Sequence, residues 1–119
     1  MTLSFGSKDT EKIWKLPNIH PGEILNEDFL IPLNITAYRL AKETNIPQTR
    51  VSEIIKGNRR ITADTALRLS IFFGNSARFW LGLQDDYDIE NELNEKSKEF
   101  GNIKAFQSHH SLKAMTQPL

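Results

Sequence analysis

The stretch LAKETNIPQTRVSEIIKGNRRIT, residues 40–62, constrains the fold more than any other part of the chain. Two short apolar helical patterns stand on either side of Asn45-Ile46-Pro47, so one helix must stop and the next must start within three residues. Asn45 tolerates the left-handed conformation that ends a helix, and Pro47 carries a φ suited to a helix start. Ala41 places a small side chain where two crossing helices come closest, while Val51 and Ile54 pin the second helix from below. If Val51 faces the core and each residue turns by about 100°, then Thr49, Glu53 and Lys56 point directly away, Arg50 and Ser52 flank them, and Gln48 occupies the N-terminal tip. Small helical bundles in general have short helices with polar outer faces. The spacing from Ala41 through Asn45 to Val51, followed by a basic loop, points instead to a helix presented to a DNA groove.

The rest of the pattern extends this unit into an all-α domain of five helices. Pro21 suits a first helical turn, Ile24, Leu25 and Phe29 form a stripe, and Pro32 is expected to end that first helix. Thr36 is expected to cap a second helix that buries Leu40 and Ala41, and Asn45 to close it. Pro47 opens the third, with Val51, Ile54 and Ile55 inward and Gly57 as the exit. Thr62 is expected to cap a fourth helix with Ala63, Ala66, Leu67 and Ile71 on its apolar side, up to Gly74. Ser76 caps a fifth, lined by Phe79, Trp80, Leu83 and Tyr87, which can continue through Ile89, Leu93 and Phe100. No strand pattern competes inside this region. The expected organisation is an N-terminal extension over residues 1–19, a helix-turn-helix domain over 20–89, and an acidic helical extension and tail over 90–119.

With 119 residues, the chain suits one small domain with tails and has little room for a large enzyme cleft. No apolar run is long enough for a membrane span, the first six residues lack the pattern of a signal peptide, and there are no cysteines; a cytoplasmic protein is expected. Formal net charge is zero, yet the charges are segregated. Residues 36–60 hold six basic side chains against two acidic ones, and residues 84–99 hold seven acidic against two basic. The first region suits phosphate and the second repels it.

Residues 20–87, from HPGEIL through GNRRITADTALRL to FWLGLQ, resemble the HigA antitoxin branch of the phage-repressor-like (XRE, Cro/C1) helix-turn-helix proteins. The resemblance implies the five-helix fold, homodimerisation, repression of the chain's own operon through double-stranded operator DNA, and neutralisation of a HigB-type messenger-RNA endonuclease. No catalytic residues and no cofactor are expected, since no Ser-His-Asp or paired-carboxylate spacing is present. Members of this family more often carry Gly where this chain has Asn45, a change that the left-handed tolerance of Asn makes harmless.

Carried over residue by residue, the recognition helix falls on residues 48–56. Gln48, Thr49 and Arg50 lead as contacts to bases or adjacent phosphates, because Gln can bond adenine and Arg guanine. Ser52 flanks them. Thr36 can bring its hydroxyl and the amides of the second helix to a phosphate, and Lys56, Asn58, Arg59 and Arg60 suit the neighbouring strand. Glu53 either accepts from a cytosine amino group or pairs with Arg50 or Lys56 on the surface. Phe79, Trp80, Leu83 and Tyr87 either complete the core or form the seam of a two-fold dimer, and a division between the two roles is expected.

Outside the domain the signals are weaker. Residues 9–15 can form a short helix before Leu16-Pro17, and SFGSKDTEKIWK, residues 4–15, is similar to the opening strand and helix of HigB-type toxins. The alternative is a tail with some helical tendency. His109-His110 lacks the companions of a metal site, His20 suits a helix cap rather than a general base, and Asp85, Asp86 and Asp88 lack the glycine and distal glutamate of a calcium loop. No metal is expected. Phe106, Leu112 and Met115 are possible docking residues in the tail. The acidic run either lies away from DNA as a surface for a basic nuclease or is simply a solvated face. Two other functions fit the pattern: a phage- or restriction-control-type regulator without a toxin, and a protein-only interaction module.

Overall fold

The computed structural model describes residues 18–107, and every regular element in that span is helical. Helix α1 covers residues 21–33 in three pieces: an α-helical turn Pro21–Ile24, a π-helical segment Leu25–Leu30 and a last turn Ile31–Leu33. It is followed by α2 (Ala37–Thr44), α3 (Gln48–Ile55), α4 (Ala63–Phe73) and α5 (Ala77–Gly101). The residues proposed for a helix over 9–15, the toxin-like stretch 4–15, His109-His110, Leu112 and Met115 all lie outside the described residues.

Pro32 does not end the first helix. The ladder widens ahead of it, with the Ile31 N–H donating to Asn26 O, five residues back. A proline ring crowds the carbonyl four residues before it and has no N–H to give. The wider π-helical ladder adjoins this break, and the helix then completes one more turn. It stops at Asn34, which is left-handed at φ 57° and ψ 44°. The same closure recurs at Asn45, Gly57 and Gly74, all with positive φ. In each case the next amide reaches back five residues: Ile35 to Leu30 O, Ile46 to Ala41 O, Asn58 to Glu53 O and Asn75 to Ser70 O. Otherwise unpaired carbonyls at four helix ends are thereby satisfied, and the chain reverses sharply each time.

The helix starts follow the sequence with one exception. Oxygens of Thr36 and Ser76 accept from the Arg39 and Phe79 amides at 3.0 and 3.1 Å. Thr62 stands at the start of α4 in extended conformation, but its side chain makes no capping hydrogen bond. The inward face of α4 also differs from the expected one. Ala66 and Leu69 are buried together with Thr65 and Ser70, whereas Leu67 and Ile71 are exposed. The expected stripe had the right period but was rotated, because Thr65 and Ser70 lie on the inward side as small polar residues. Ser70 Oγ donates to Leu67 O within the helix, at 2.8 Å.

The core is built on Leu25, Leu30, Leu40, Val51, Ile54, Ile61, Leu69 and Trp80, all nearly inaccessible. Side chains of this size contribute roughly 1.5–3 kcal/mol each on full burial. Trp80 is the largest. It lies 4.8 Å from the Phe29 ring and 5.0 Å from the Phe79 ring, and its Nε1 donates to Asn75 Oδ1 at 2.9 Å. Helix α5 runs on through Ile89, Leu93 and Phe100, as its apolar spacing allows, and departs from helical geometry only at Lys96 (φ −125°). The change along it is one of packing, since Gln84 is its last buried side chain.

Candidate nucleic-acid interface

HPGEIL sets the seat of α3. His20 caps α1, its Nδ1 accepting from the Gly22 amide at 2.8 Å, and Pro21 is buried behind it. A Cβ at Gly22 would stand 1.6 Å from Ile54 O, so the first turn of α1 lies directly against the C-terminal end of α3. Only a residue without a side chain permits that approach. The His20 ring also meets Tyr87 of α5 edge-on at 4.9 Å. Burial lowers the imidazole pKa below its usual value, and the nearby Asp88 carboxylate partly opposes this.

The turn that follows α2 is secured from α4. Arg68 Nη1 donates to Thr44 O at 3.0 Å and to Asn45 O at 3.5 Å, placing a cation on the negative end of α2. Its Nε bonds Asp64 at 3.1 Å, and the same carboxylate takes Arg50 Nη1 of α3 at 3.0 Å. Asp64 is therefore held below the usual carboxylate pKa, first by the Arg68 hydrogen bond and then by that of Arg50. One carboxylate ties together the end of α2, the start of α4 and the face of α3.

A second chain of polar groups holds the basic loop. Buried Gln84 accepts from the Ile61 amide at 2.7 Å and donates from Nε2 to Asp88 Oδ1 at 3.0 Å. The other Asp88 oxygen pairs with Arg60 at 2.9 Å. The loop backbone is thus fixed from α5 through an almost wholly buried side chain. Arg59 pairs with Glu53 at 3.0 Å, so Glu53 does form an ion pair, but with Arg59 rather than the expected Arg50 or Lys56.

The anticipated contact residues consequently fall into two groups. Thr36, Gln48, Thr49, Lys56, Asn58, Arg59 and Arg60 are exposed, while Arg50 and Ser52 are half-buried. Thr36 uses its oxygen as a cap acceptor, which leaves its O–H to donate outward. Arg50, Arg59 and Arg60 gather with Thr62, Asp64, Thr65 and Arg68 around an open recess of about 520 Å³. Arg50 turns toward α4 instead of projecting from the tip of α3, because Asp64 draws it there. The sequence pattern alone does not mark Arg68, Asp64, Gln84 and Asp88 as organisers of the site. The spacing of four residues from Asp64 to Arg68 and from Gln84 to Asp88 is a visible signal for a pair, whereas nothing local announces the Ile61 amide as the other partner of Gln84.

Of the four side chains expected in a dimer seam, Trp80 has no accessible surface left. Its bulk and its bond to Asn75 make it the centre of the core, and it cannot also anchor a partner. Phe79 remains 40 % exposed, and Leu83 and Tyr87 are half-buried. Among the described residues there is no cluster of three or more His, Asp or Glu side chains suited to a metal ion, and no helix long and apolar enough to cross a membrane.

The geometry defines a helix-turn-helix protein, and the family described as Helix-turn-helix matches residues 27–80. An addiction module antidote protein of a HigA family from Coxiella burnetii is 46 % identical, with a TM-score of 0.71 over 76 % of this chain and 100 % of that one. The antitoxin HigA of Pseudomonas aeruginosa, solved with the higBA promoter, is 34 % identical, with a TM-score of 0.72 over 76 % and 100 % of the two chains. Virulence-associated protein I of Dichelobacter nodosus is 45 % identical over 75 % of this chain and 81 % of its own length. The chain belongs to the HigA-type antitoxin branch of the phage-repressor-like helix-turn-helix family.

Proposed function

We propose that this protein binds operator DNA as a homodimer, represses its own operon and neutralises a HigB-type messenger-RNA endonuclease. The observation that carries the DNA-binding part is the mounting of α3: Val51 and Ile54 lock one face into the core while Gln48 and Thr49 stand exposed at its N-terminal tip. In this reading Gln48 and Thr49 meet base edges. Thr36, Lys56, Asn58, Arg59 and Arg60 meet phosphates, with Ser52 flanking. Arg50 contributes to readout only if phosphate or guanine replaces Asp64 as its partner. The carboxylates now paired with Arg59 and Arg60 are likewise exchanged for DNA oxygens on binding. Phe79, Leu83 and Tyr87 supply the dimer seam. The toxin partnership is supported by the similarity to named HigA proteins and antidotes.

The test is a titration of DNA from the chain's own upstream region at several salt concentrations. Affinity should fall steeply with salt, as released counterions require. Gln48→Ala or Thr49→Ala should cost about 1–3 kcal/mol per lost base contact and relax preference at individual bases. Arg59→Ala should instead weaken all sequences and flatten the salt slope. Binding without salt dependence, or equal loss of discrimination in all three variants, would refute the assignment. Co-purification from the native host tests the toxin half: a co-purifying ribonuclease inhibited by this protein is expected, and its absence would leave a regulator without a toxin.

A further inference from the structure

The four arginines within residues 36–60 are each paired with a carboxylate: Arg39 with Glu43, Arg50 with Asp64, Arg59 with Glu53 and Arg60 with Asp88, at 2.8–3.0 Å. Three of these arginines are at least half exposed, and such pairs exchange partners at little cost. Arg50 is held more closely. Its side chain is only 29 % exposed, and the Nη1 that donates to Asp64 Oδ2 at 3.0 Å also reaches Oγ1 of buried Thr65 at 3.4 Å. Asp64 does not follow Arg50 if it moves, because both carboxylate oxygens accept from Arg68 Nε at 3.1 Å, and Arg68 is anchored on the carbonyls of Thr44 and Asn45. Among the described residues, Asp64 is the one carboxylate shared by two arginines.

The strength of this hold falls between those of the two partners that DNA can offer. On DNA of arbitrary sequence a protein rests on phosphates. A phosphate gives Arg50 one anion in place of another and takes it away from Thr65, so the exchange gains nothing. Guanine presents O6 and N7 together in the major groove, and a bidentate arginine pair there outweighs a partly exposed ion pair made through Nη1 alone. Release to guanine leaves no orphaned charge, since Arg68 keeps Asp64 paired.

We propose that Asp64 determines specificity: it keeps Arg50 on α4 over unrelated DNA and yields it only to a guanine at the operator. Without this carboxylate, Arg50 would be free to pair with phosphates on any sequence. The inference rests on the reading of α3 as a DNA-binding helix and extends it to a residue of α4.

The experiment titrates the full-length protein with DNA from its own upstream region and with unrelated DNA of equal length, each across a salt series. Asp64→Asn keeps an acceptor for Arg68 and should keep the wild-type fold, checked by far-UV circular dichroism. On unrelated DNA it should bind more tightly than wild type, with a salt slope steeper by about 0.9, the value of one added phosphate contact. On the upstream DNA the slope should stay as it is, so the preference between the two DNAs falls. Asp64→Glu should preserve that preference, and in an Arg50→Ala background Asp64→Asn should no longer steepen the slope. Arg50→Lys keeps the charge but not the fork, and should weaken upstream binding by roughly ten- to a hundredfold while leaving unrelated DNA nearly unaffected. Equal steepening on both DNAs would overturn the proposal and make Asp64 a general negative charge. Weaker binding to both would overturn it in favour of a support for α3 alone. An unchanged preference in Arg50→Lys would overturn it whether or not Asp64→Asn folds. Wild-type binding to neither DNA, or without salt dependence, would instead remove the DNA-binding reading, and this inference with it.

Discussion

The seat of α3 and the far half of α5 are both amphipathic and helical, yet they are held in opposite ways. Around α3, the Gly22 backbone, the Asn45 turn, the Arg68 clamp and the Gln84 bond hold its neighbours in place, and Val51 and Ile54 have virtually no exposed surface. Beyond Gln84, α5 buries no side chain and leaves Ile89, Leu93 and Phe100 open. Under the proposed function the first region must be rigid, because a helix that reads bases has to enter a groove in one orientation. The second is helical without being packed, which is how an element behaves when its apolar side is kept for contacts made outside the domain. Helical periodicity alone does not distinguish the two.

The largest effect that would break this comparison lies at Trp80. Trp80→Ala should cost about 3–5 kcal/mol, measured by denaturant unfolding, because it removes the largest buried side chain and leaves a cavity. A folded variant that merely dissociated would return Trp80 to a dimer seam. Gly22→Ala comes next. It should cost about 1–3 kcal/mol as the α1–α3 contact is forced apart, and operator affinity should fall more than helicity does. Unchanged stability and DNA binding would show that the close approach to Ile54 O is not required.

A smaller effect is expected from pH. Burial favours neutral His20 in the folded chain, so the unfolded state takes up a proton more readily. Stability should therefore be flat above the ordinary imidazole pKa of about 6.5 and decline as pH falls from there toward the lowered folded value. Protonation also removes the Nδ1 acceptor for Gly22 N–H. His20→Asn keeps a capping acceptor and should remove that part of the pH dependence; an unchanged profile would assign it to other groups. Smallest of all, Leu93→Ala should change stability by no more than about 0.5 kcal/mol, as at other exposed sites. A loss comparable to that at Gly22 would show that the far half of α5 is packed after all, and would erase the contrast.

Much of the fold is legible in the sequence. Thr36, Asn45, Pro47, Gly57, Gly74 and Ser76 act through local backbone geometry, and local geometry is what a sequence displays most directly. They identified helix ends that the structure retains. Pro32 misled because the preceding turns could widen to accommodate it, a response that depends on several consecutive residues. The stripe of α4 was misread because Leu67 and Ile71 look like core, whereas Thr65 and Ser70 hold the inward positions.

The sequence by itself determined where the chain turns after the first helix, that α2 and α3 meet at a tight corner, and which residues stand on the outer face of α3, since each follows from steric preferences within a few positions. Tertiary structure alone decided that Trp80 is core, that Arg50 leans on Asp64, that Glu53 pairs with Arg59, and that Gln84 and Asp88 hold the basic loop. Those partners are mostly separated by many residues along the chain, and a charged or amide side chain will accept any complementary group within reach. Which group that is depends on how the helices cross, and a pattern of residue types carries no record of the crossing.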